Sequence, residues 1–167
     1  MMTHELPLEV RWGDCDPAGI IWYPAYYRWM DAGSWALLAA LGYDAARVRA
    51  EDLSFPLVHA ACDFLASPRF GERVLLRSRI VRIGRSSFDV AHAFERVDAG
   101  AGDGGMLLAR GLEKRVWCRY QAGPGSPLAS QPLPPELRAA VSAAVSAAVA
   151  PDDSPAAAAE PRSGLTS

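Results

Sequence analysis

The sequence predicts an α+β fold in which an antiparallel sheet wraps one long central helix. Three observations predict it. An alternating strand occupies residues 5–12, residues 24–41 read as a helix apolar nearly all round, and four consecutive strand-like runs follow. A chain of 167 residues that is half apolar suits one domain with a real core.

In the first strand Leu6, Leu8, Val10 and Trp12 face one way, and Glu5, Pro7, Glu9 and Arg11 the other. Residues 13–19, GDCDPAG, are rich in turn formers and read as a loop. Pro24 suits a first helical turn, where its missing N–H costs nothing, and Gly42 follows the last apolar residue as a C-terminal stop. Within this helix Arg28, Asp31 and Ser34 recur every three residues as one narrow polar stripe. A helix so patterned is wrapped by other structure. Gly33 costs about 1 kcal/mol against Ala, which close backbone packing would offset.

Residues 44–51 read as a short second helix, and strands are expected at 56–65, 72–83, 87–97 and 106–120. Ser67-Pro68, Gly84-Arg85-Ser86 and the glycine-rich stretch 99–105 separate them. Beyond Gln121 the composition turns to Pro, Gly, Ala and Ser. The expected organisation is a domain over 1–121 and a C-terminal extension over 122–167, with a marginal helix at 135–149 and a disordered tail.

Composition excludes several function classes. The formal net charge of −2 recruits no nucleic acid. The opening MMTHELPLEV has no signal-peptide pattern, and no run approaches the ~20 apolar residues of a membrane span, so no membrane partner is expected. Cys15, Cys62 and Cys118 have neither disulfide nor zinc spacing and read as free thiols in a reducing cytosol, which makes the expected location cytoplasmic.

The chemistry concentrates in residues 12–35, WGDCDPAGIIWYPAYYRWMDAGSW. Asp14 and Asp16 lie in a tight loop leading to a helix N-terminus, where unpaired N–H groups and the positive dipole end gather. Such a terminus can stabilise the oxyanion formed when a thioester carbonyl is attacked, and a nearby carboxylate can attack it or deprotonate water. The alternative is that these aspartates are helix caps, worth ~1 kcal/mol and without chemistry. Trp22, Tyr23, Tyr26, Tyr27 and Trp29 either line an apolar slot or belong to the core.

The run from Gly13 to Pro24, followed by Tyr26, Arg28-Trp29 and Asp31-Ala32, closely resembles the 4-hydroxybenzoyl-CoA thioesterase family, in the bacterial branch whose catalytic aspartate lies in the D-x-D-P-A-G loop. A weaker resemblance reaches Tyr120. The resemblance implies a hotdog fold, a long helix wrapped by an antiparallel sheet. It also implies dimers that join their sheets, or dimers of dimers, with active sites at the subunit interface. It makes Asp16 the nucleophile or general base and gives the Tyr23 backbone N–H the thioester carbonyl. Asp31 would read the 4-hydroxyl of an aromatic acyl group, with Trp22 beside the substrate. Arg85 and Ser86 would hold coenzyme A phosphates, although only Arg85 is basic where the aromatic-acyl enzyme has several cations. Arg69, Arg77 and Arg82 are candidate substitutes. The implied activity is hydrolysis of an aromatic acyl-CoA to acid and CoA. The substrate is a small molecule, coenzyme A is part of it, and neither cofactor nor metal is expected. The alternatives are a thioesterase for aliphatic acyl-CoA or acyl-carrier-protein substrates, and a non-catalytic acyl-CoA-binding module.

Other signals are weaker. The GAGDGG stretch at 100–105 leads into a strand rather than a helix, so it reads as a hairpin and not a phosphate loop. His92 reads as a core or interface histidine. Asp14, Cys15, Asp16, Cys62 and Asp63 match no familiar metal spacing, and no Gly-x-Ser-x-Gly elbow occurs.

Overall fold

The sequence predicts one long helix over residues 24–41, and α1 runs over Tyr23–Ala40 in the computed structural model, which describes residues 3–97 and 105–146. Five antiparallel strands make the main sheet: β1 (His4–Glu9), β3 (Leu57–Phe64), β4 (Arg73–Ile83), β5 (Ser87–Arg96) and β6 (Leu107–Val116), in the order β1-β4-β5-β6-β3. A second sheet of three short strands, β2 (Leu53–Ser54), β7 (Cys118–Tyr120) and β8 (Leu128–Ser130), has the order β2-β7-β8. The short helix α2 covers Ala45–Ala50, and Asp44 caps it by accepting from the N–H groups of Ala46 and Arg47.

Helix α1 lies on one face of the main sheet and divides the core in two. Around its first half Ala25, Tyr26, Trp29 and Met30 pack with Val74, Leu76, Phe94 and Leu108. Around its second half Leu37 and Leu38 pack with Phe55, Ile80, Phe88 and Trp117. Gly33 sits between these clusters. A Cβ there would lie 2.5 Å from the Ser78 Oγ and 2.8 Å from a Leu76 methyl, so the glycine permits the close packing expected of it. Gly42, at φ +89°, takes the left-handed turn that ends the helix.

Four expectations need correction. The first strand ends at Glu9, and residues Trp12–Asp14 form a 3-10 turn that leaves Trp12 exposed rather than inward. The run 106–120 is two strands, because the chain breaks at the buried Trp117 and β7 joins the second sheet. Ser34 leaves the polar stripe: it is fully buried against the sheet while Arg28 and Asp31 face outward. Finally, α1 is not enclosed on every side within one chain, since Asp31, Ala32, Ala39 and Ala40 are exposed.

Past Gln121 the chain adds β8 and the helix α3 (Pro135–Ser146), and Leu133, Leu137 and Val141 enter the same core cluster as Tyr43 and Trp117. Most of the glycine-rich stretch 99–105 and residues 147–167 lie outside the described residues.

Candidate active site

The loop before α1 is pinned at several points. Cys15 and Ile21 form a β-bridge, the Asp16 N–H donates to the Ile20 carbonyl at 2.9 Å, and the Gly19 N–H donates to the Asp16 carbonyl at 2.9 Å. A second bridge joins Ile20 to Arg69, and the Ile21 N–H donates to Pro68, so the loop is fixed to the chain entering β4. Asp16 is half-buried, and its Oδ1 accepts from the Ala18 N–H at 2.8 Å in a local Asx turn. That carboxylate caps its own loop and not the helix.

Asp14 has a different task. It is buried, accepts from the Arg11 N–H at 2.9 Å, and pairs with Arg28 on α1. Its carbonyl accepts the Trp22 N–H at 2.9 Å. Asp14 therefore clamps the loop to the helix, and its charge is already used by Arg28. A cavity of about 500 Å³ beside it is lined by Pro7, Leu8, Glu9, Arg11, Gly13, Asp14, Arg28 and Trp29, without Asp16, Tyr23 or Asp31.

The helix start is the informative geometry. The N-cap Trp22 makes no side-chain cap. Its own N–H is taken by Asp14, Pro24 has none, and the Ala25 N–H turns back to Trp22 at 3.0 Å. As the first helical residue, Tyr23 has no carbonyl one turn earlier to receive its N–H. Among the described residues one donor is thus left at the positive end of an 18-residue helix, beside a loop that holds Asp16. The Tyr23 ring is exposed and the Trp22 ring half-exposed, whereas Tyr26 and Trp29 are core residues, Tyr26 meeting Phe94 edge to face and Trp29 tilted against it. Burial raises the Tyr26 hydroxyl to about 12, with Cys62 adding to the shift.

Asp31 sits eight residues beyond Tyr23 on α1, about 12 Å along the axis at helical rise. Its Oδ1 accepts from Arg115 Nη2 at 2.7 Å, and about half of its side chain is exposed. Arg28, three residues earlier, is committed to Asp14 instead. Arg115 is nearly fully buried, with Nε donating to Glu113 Oε2 at 3.0 Å and Nη1 to the Phe55 carbonyl at 3.2 Å. Glu113 also accepts from Ser34 Oγ at 2.5 Å and lies 3.5 Å from His92 Nε2, while His92 Nδ1 contacts Ser78 Oγ at 2.9 Å. Burial pushes the Glu113 carboxyl up. The hydrogen bonds from His92 and Ser34 and the Arg115 charge outweigh it and hold the group below the usual carboxylate range. Sequence reasoning missed Glu113 and Arg115. In the run RGLEKRV charges fall on both faces, so period-two counting does not show that these two point inward.

Arg85 and Ser86 lie elsewhere, on the turn between β4 and β5. The Arg85 side chain is exposed. Of its candidate substitutes, Arg77 is paired with Glu5 at 2.8 Å and Glu95 at 2.5 Å, and Arg82 faces Asp89 at 3.9 Å. Strand β4 runs from the Asp16 loop to the Arg85 turn, a length of about 33 Å at ordinary strand rise over Arg73–Ile83. One chain therefore gathers Asp16 and Tyr23 at one end, holds Asp31 further along α1, and leaves Arg85 and Ser86 at the far end.

Residues 10–141 match the family model described as the thioesterase-like superfamily, which spans most of the chain. The chain belongs to the thioesterase-like superfamily. Among curated relatives, a 4-hydroxybenzoyl-CoA thioesterase of Pseudomonas sp. strain CBS-3 is 32% identical over 112 residues, covering 65% of this chain and 78% of that protein. A 1,4-dihydroxy-2-naphthoyl-CoA hydrolase of Synechococcus sp. strain WH7803 is 31% identical over 98 residues, covering 54% of this chain and 64% of that one. Among solved structures, a gentisyl-coenzyme A thioesterase superposes with TM-score 0.68 at 33% identity, over 81% of this chain and 99% of the other. A mutant 4-hydroxybenzoyl-CoA thioesterase bound to 4-hydroxybenzoyl-CoA gives 0.73 at 26% identity, over 83% and 98%. The superfamily's hotdog architecture, a sheet wrapped on one long helix, is the fold seen here.

Proposed function

We propose that this acyl-CoA thioester hydrolase cleaves an aromatic, hydroxyl-bearing acyl group from coenzyme A, with Asp16 acting on the thioester carbonyl and the Tyr23 N–H receiving the developing oxyanion. The enzyme class rests on superfamily membership and on curated relatives that hydrolyse CoA thioesters. The observation that carries the site assignment is the uncapped start of α1, where one N–H is left without an internal acceptor beside the pinned Asp16 loop.

In the reaction, water adds its oxygen to the acyl carbon, the C–S bond breaks, and the thiol of CoA leaves with a proton. Asp16 either attacks the carbonyl carbon first or deprotonates the attacking water. Both routes place negative charge on the carbonyl oxygen, which a preorganised N–H at a helix N-terminus stabilises. The Asp31 carboxylate, steered by Arg115, is an acceptor for a ring hydroxyl and ill suited to the end of an aliphatic chain. Trp22 flanks the helix entry. Arg85 and Ser86 hold the coenzyme A phosphates, and the reaction calls for no further cofactor or metal.

The partner is a second copy of the chain. Asp16 and Arg85 lie at opposite ends of β4, so one substrate meets Asp16 of one copy and Arg85 of another. Strand β3 is one of the two edges of the main sheet, bonded among the described residues to β6 alone, and Leu57, Val58, Phe64 and the following Leu65 are exposed there. That edge suits sheet-to-sheet pairing between copies.

The test is a hydrolysis screen over benzoyl, 4-hydroxybenzoyl, phenylacetyl, short aliphatic and long aliphatic CoA thioesters, with wild type and Asp16→Asn. Hydroxylated aromatic esters should give the highest kcat/KM. The substitution keeps the volume but removes charge and basicity, and should lower kcat by at least ~10². Full activity of Asp16→Asn would sink the catalytic assignment. A clear preference for aliphatic esters would move the substrate class.

A further inference from the structure

The turn at Gly84, Arg85 and Ser86 is held from outside its own hairpin, and the holding residue lies in the C-terminal helix. Within the hairpin the Gly84 N–H closes the turn on the Ser87 carbonyl at 2.7 Å. All three turn carbonyls are then taken by other parts of the chain. The Ser86 carbonyl accepts the Trp117 N–H at 2.7 Å, and the Arg85 carbonyl accepts the Leu133 N–H at 2.9 Å. Arg138, on α3, donates Nη2 to both the Gly84 carbonyl at 2.7 Å and the Arg85 carbonyl at 2.8 Å.

The base of this latch is firm. Leu133, Leu137 and Val141 are buried in the cluster that contains Trp117 and Tyr43, and the Tyr43 hydroxyl donates to Glu136 at 3.2 Å. Arg138 therefore reaches the turn from an element anchored in the core. Hairpin tips are ordinarily the loose ends of a sheet. Here the peptide groups of the tip are fixed while the Arg85 guanidinium stays exposed. A flexible cation pays ordering entropy each time it binds an anion, and a pre-placed one pays less.

We propose that Arg138 is a positioning residue for the coenzyme A grip: α3 holds the Arg85 turn in its phosphate-binding shape through the two carbonyl contacts. The inference rests on the assignment of Arg85 to coenzyme A. It gives the C-terminal helix a part in substrate affinity without contact with the reacting atoms.

The experiment uses Arg138→Met, which keeps the stem and removes the donors, Arg138→Lys, which restores a donor, and Arg85→Ala. Each is assayed in the full chain with a CoA ester and with the matching pantetheine thioester, which lacks the nucleotide phosphates. Arg138→Met should raise KM for the CoA ester about fivefold, the order of one net hydrogen bond. Its kcat should be unchanged, the pantetheine ester should be unaffected, and Arg138→Lys should recover most of the loss. Added to Arg85→Ala, Arg138→Met should have little further effect, because the turn then carries no cation to place. An equal loss with both esters, or no change in KM, would overturn the positioning role. So would full additivity, which would make Arg138 a phosphate contact in its own right. If Arg85→Ala fails to discriminate the two esters, the Arg85 assignment falls and the latch has nothing to position. If Arg85→Ala discriminates and Arg138→Met does not, only the latch is wrong.

Discussion

Tyr23 enters the proposed chemistry through its peptide, so its side chain and its backbone make opposite predictions. Tyr23→Phe keeps the N–H and should leave kcat within about twofold, the scale of a contact worth a few tenths of a kcal/mol. Tyr23→Pro removes the N–H. A first helical turn tolerates proline, and Trp22, at φ −88° and ψ 146°, already has the extended backbone a following proline requires. The fold should survive by circular dichroism while kcat falls by roughly 10²–10³. Unchanged turnover in Tyr23→Pro would remove the oxyanion role. Asp31 allows a second test at this scale. Asp31→Ala should cost ~1.5–3 kcal/mol in kcat/KM with a hydroxylated aromatic ester and much less with the benzoyl ester. Arg28 is engaged with Asp14, so loss of an Asp31–Arg28 pair does not compete as an explanation. Equal losses with both esters would leave the hydroxyl assignment without support.

Between α1 and the strands β4, β5 and β6 runs a buried polar row of Ser34, Ser78, His92, Glu113 and Arg115. Burying Glu113 and Arg115 costs several kcal/mol of desolvation each, offset only because every partner is supplied. The row ends at Asp31, so the core carries a guanidinium to the helix surface. Glu113 has a folded pKa below the ordinary 4.5. Its contribution to stability is present above that value and is lost as pH falls through the depressed folded value. Wild type should therefore lose stability to urea more steeply than Glu113→Gln as pH drops below 4.5. The variant should be the less stable of the two at neutral pH, where among the described residues Arg115 keeps only Asp31 as counter-ion. Parallel stability curves for the two proteins would show that Glu113 does not drive acid unfolding.

On the scale of the molecule, the proposed pairing of two copies rests on the separation of the Asp16 loop from the Arg85 turn and on the exposed apolar edge of β3. Light scattering at micromolar concentration should give at least twice the 17.9 kDa of one chain. Val58→Glu places a charge on the β3 edge, where like charges would meet if two edges pair. It should shift the protein towards monomer and remove activity in proportion, with secondary structure intact. A wild-type monomer with full activity would contradict an interfacial site.

Helix α1, the α+β plan and most strands were legible because they depend on local chemistry: a proline at the first turn, a glycine after the last, period-two alternation, and glycine or proline between runs. The Asp16 loop was legible because five turn formers among seven residues and a helix entry lie together in the chain. The partners of those residues were not. Whether Asp14 or Asp16 caps the helix was open in sequence; packing decided it by giving Asp14 to Arg28 and leaving Asp16 in its own turn. Arg115 reaches Asp31 across 84 positions of sequence, and Arg138 reaches the Arg85 turn across 53. No local period encodes contacts at that range. The sequence by itself determined the elements and the loop with its acids, since backbone preference and hydrophobic period act over a few residues. Only the tertiary structure decided which charges are spent on one another and which donor is left over, because a buried charge must find its partner wherever the fold brings one.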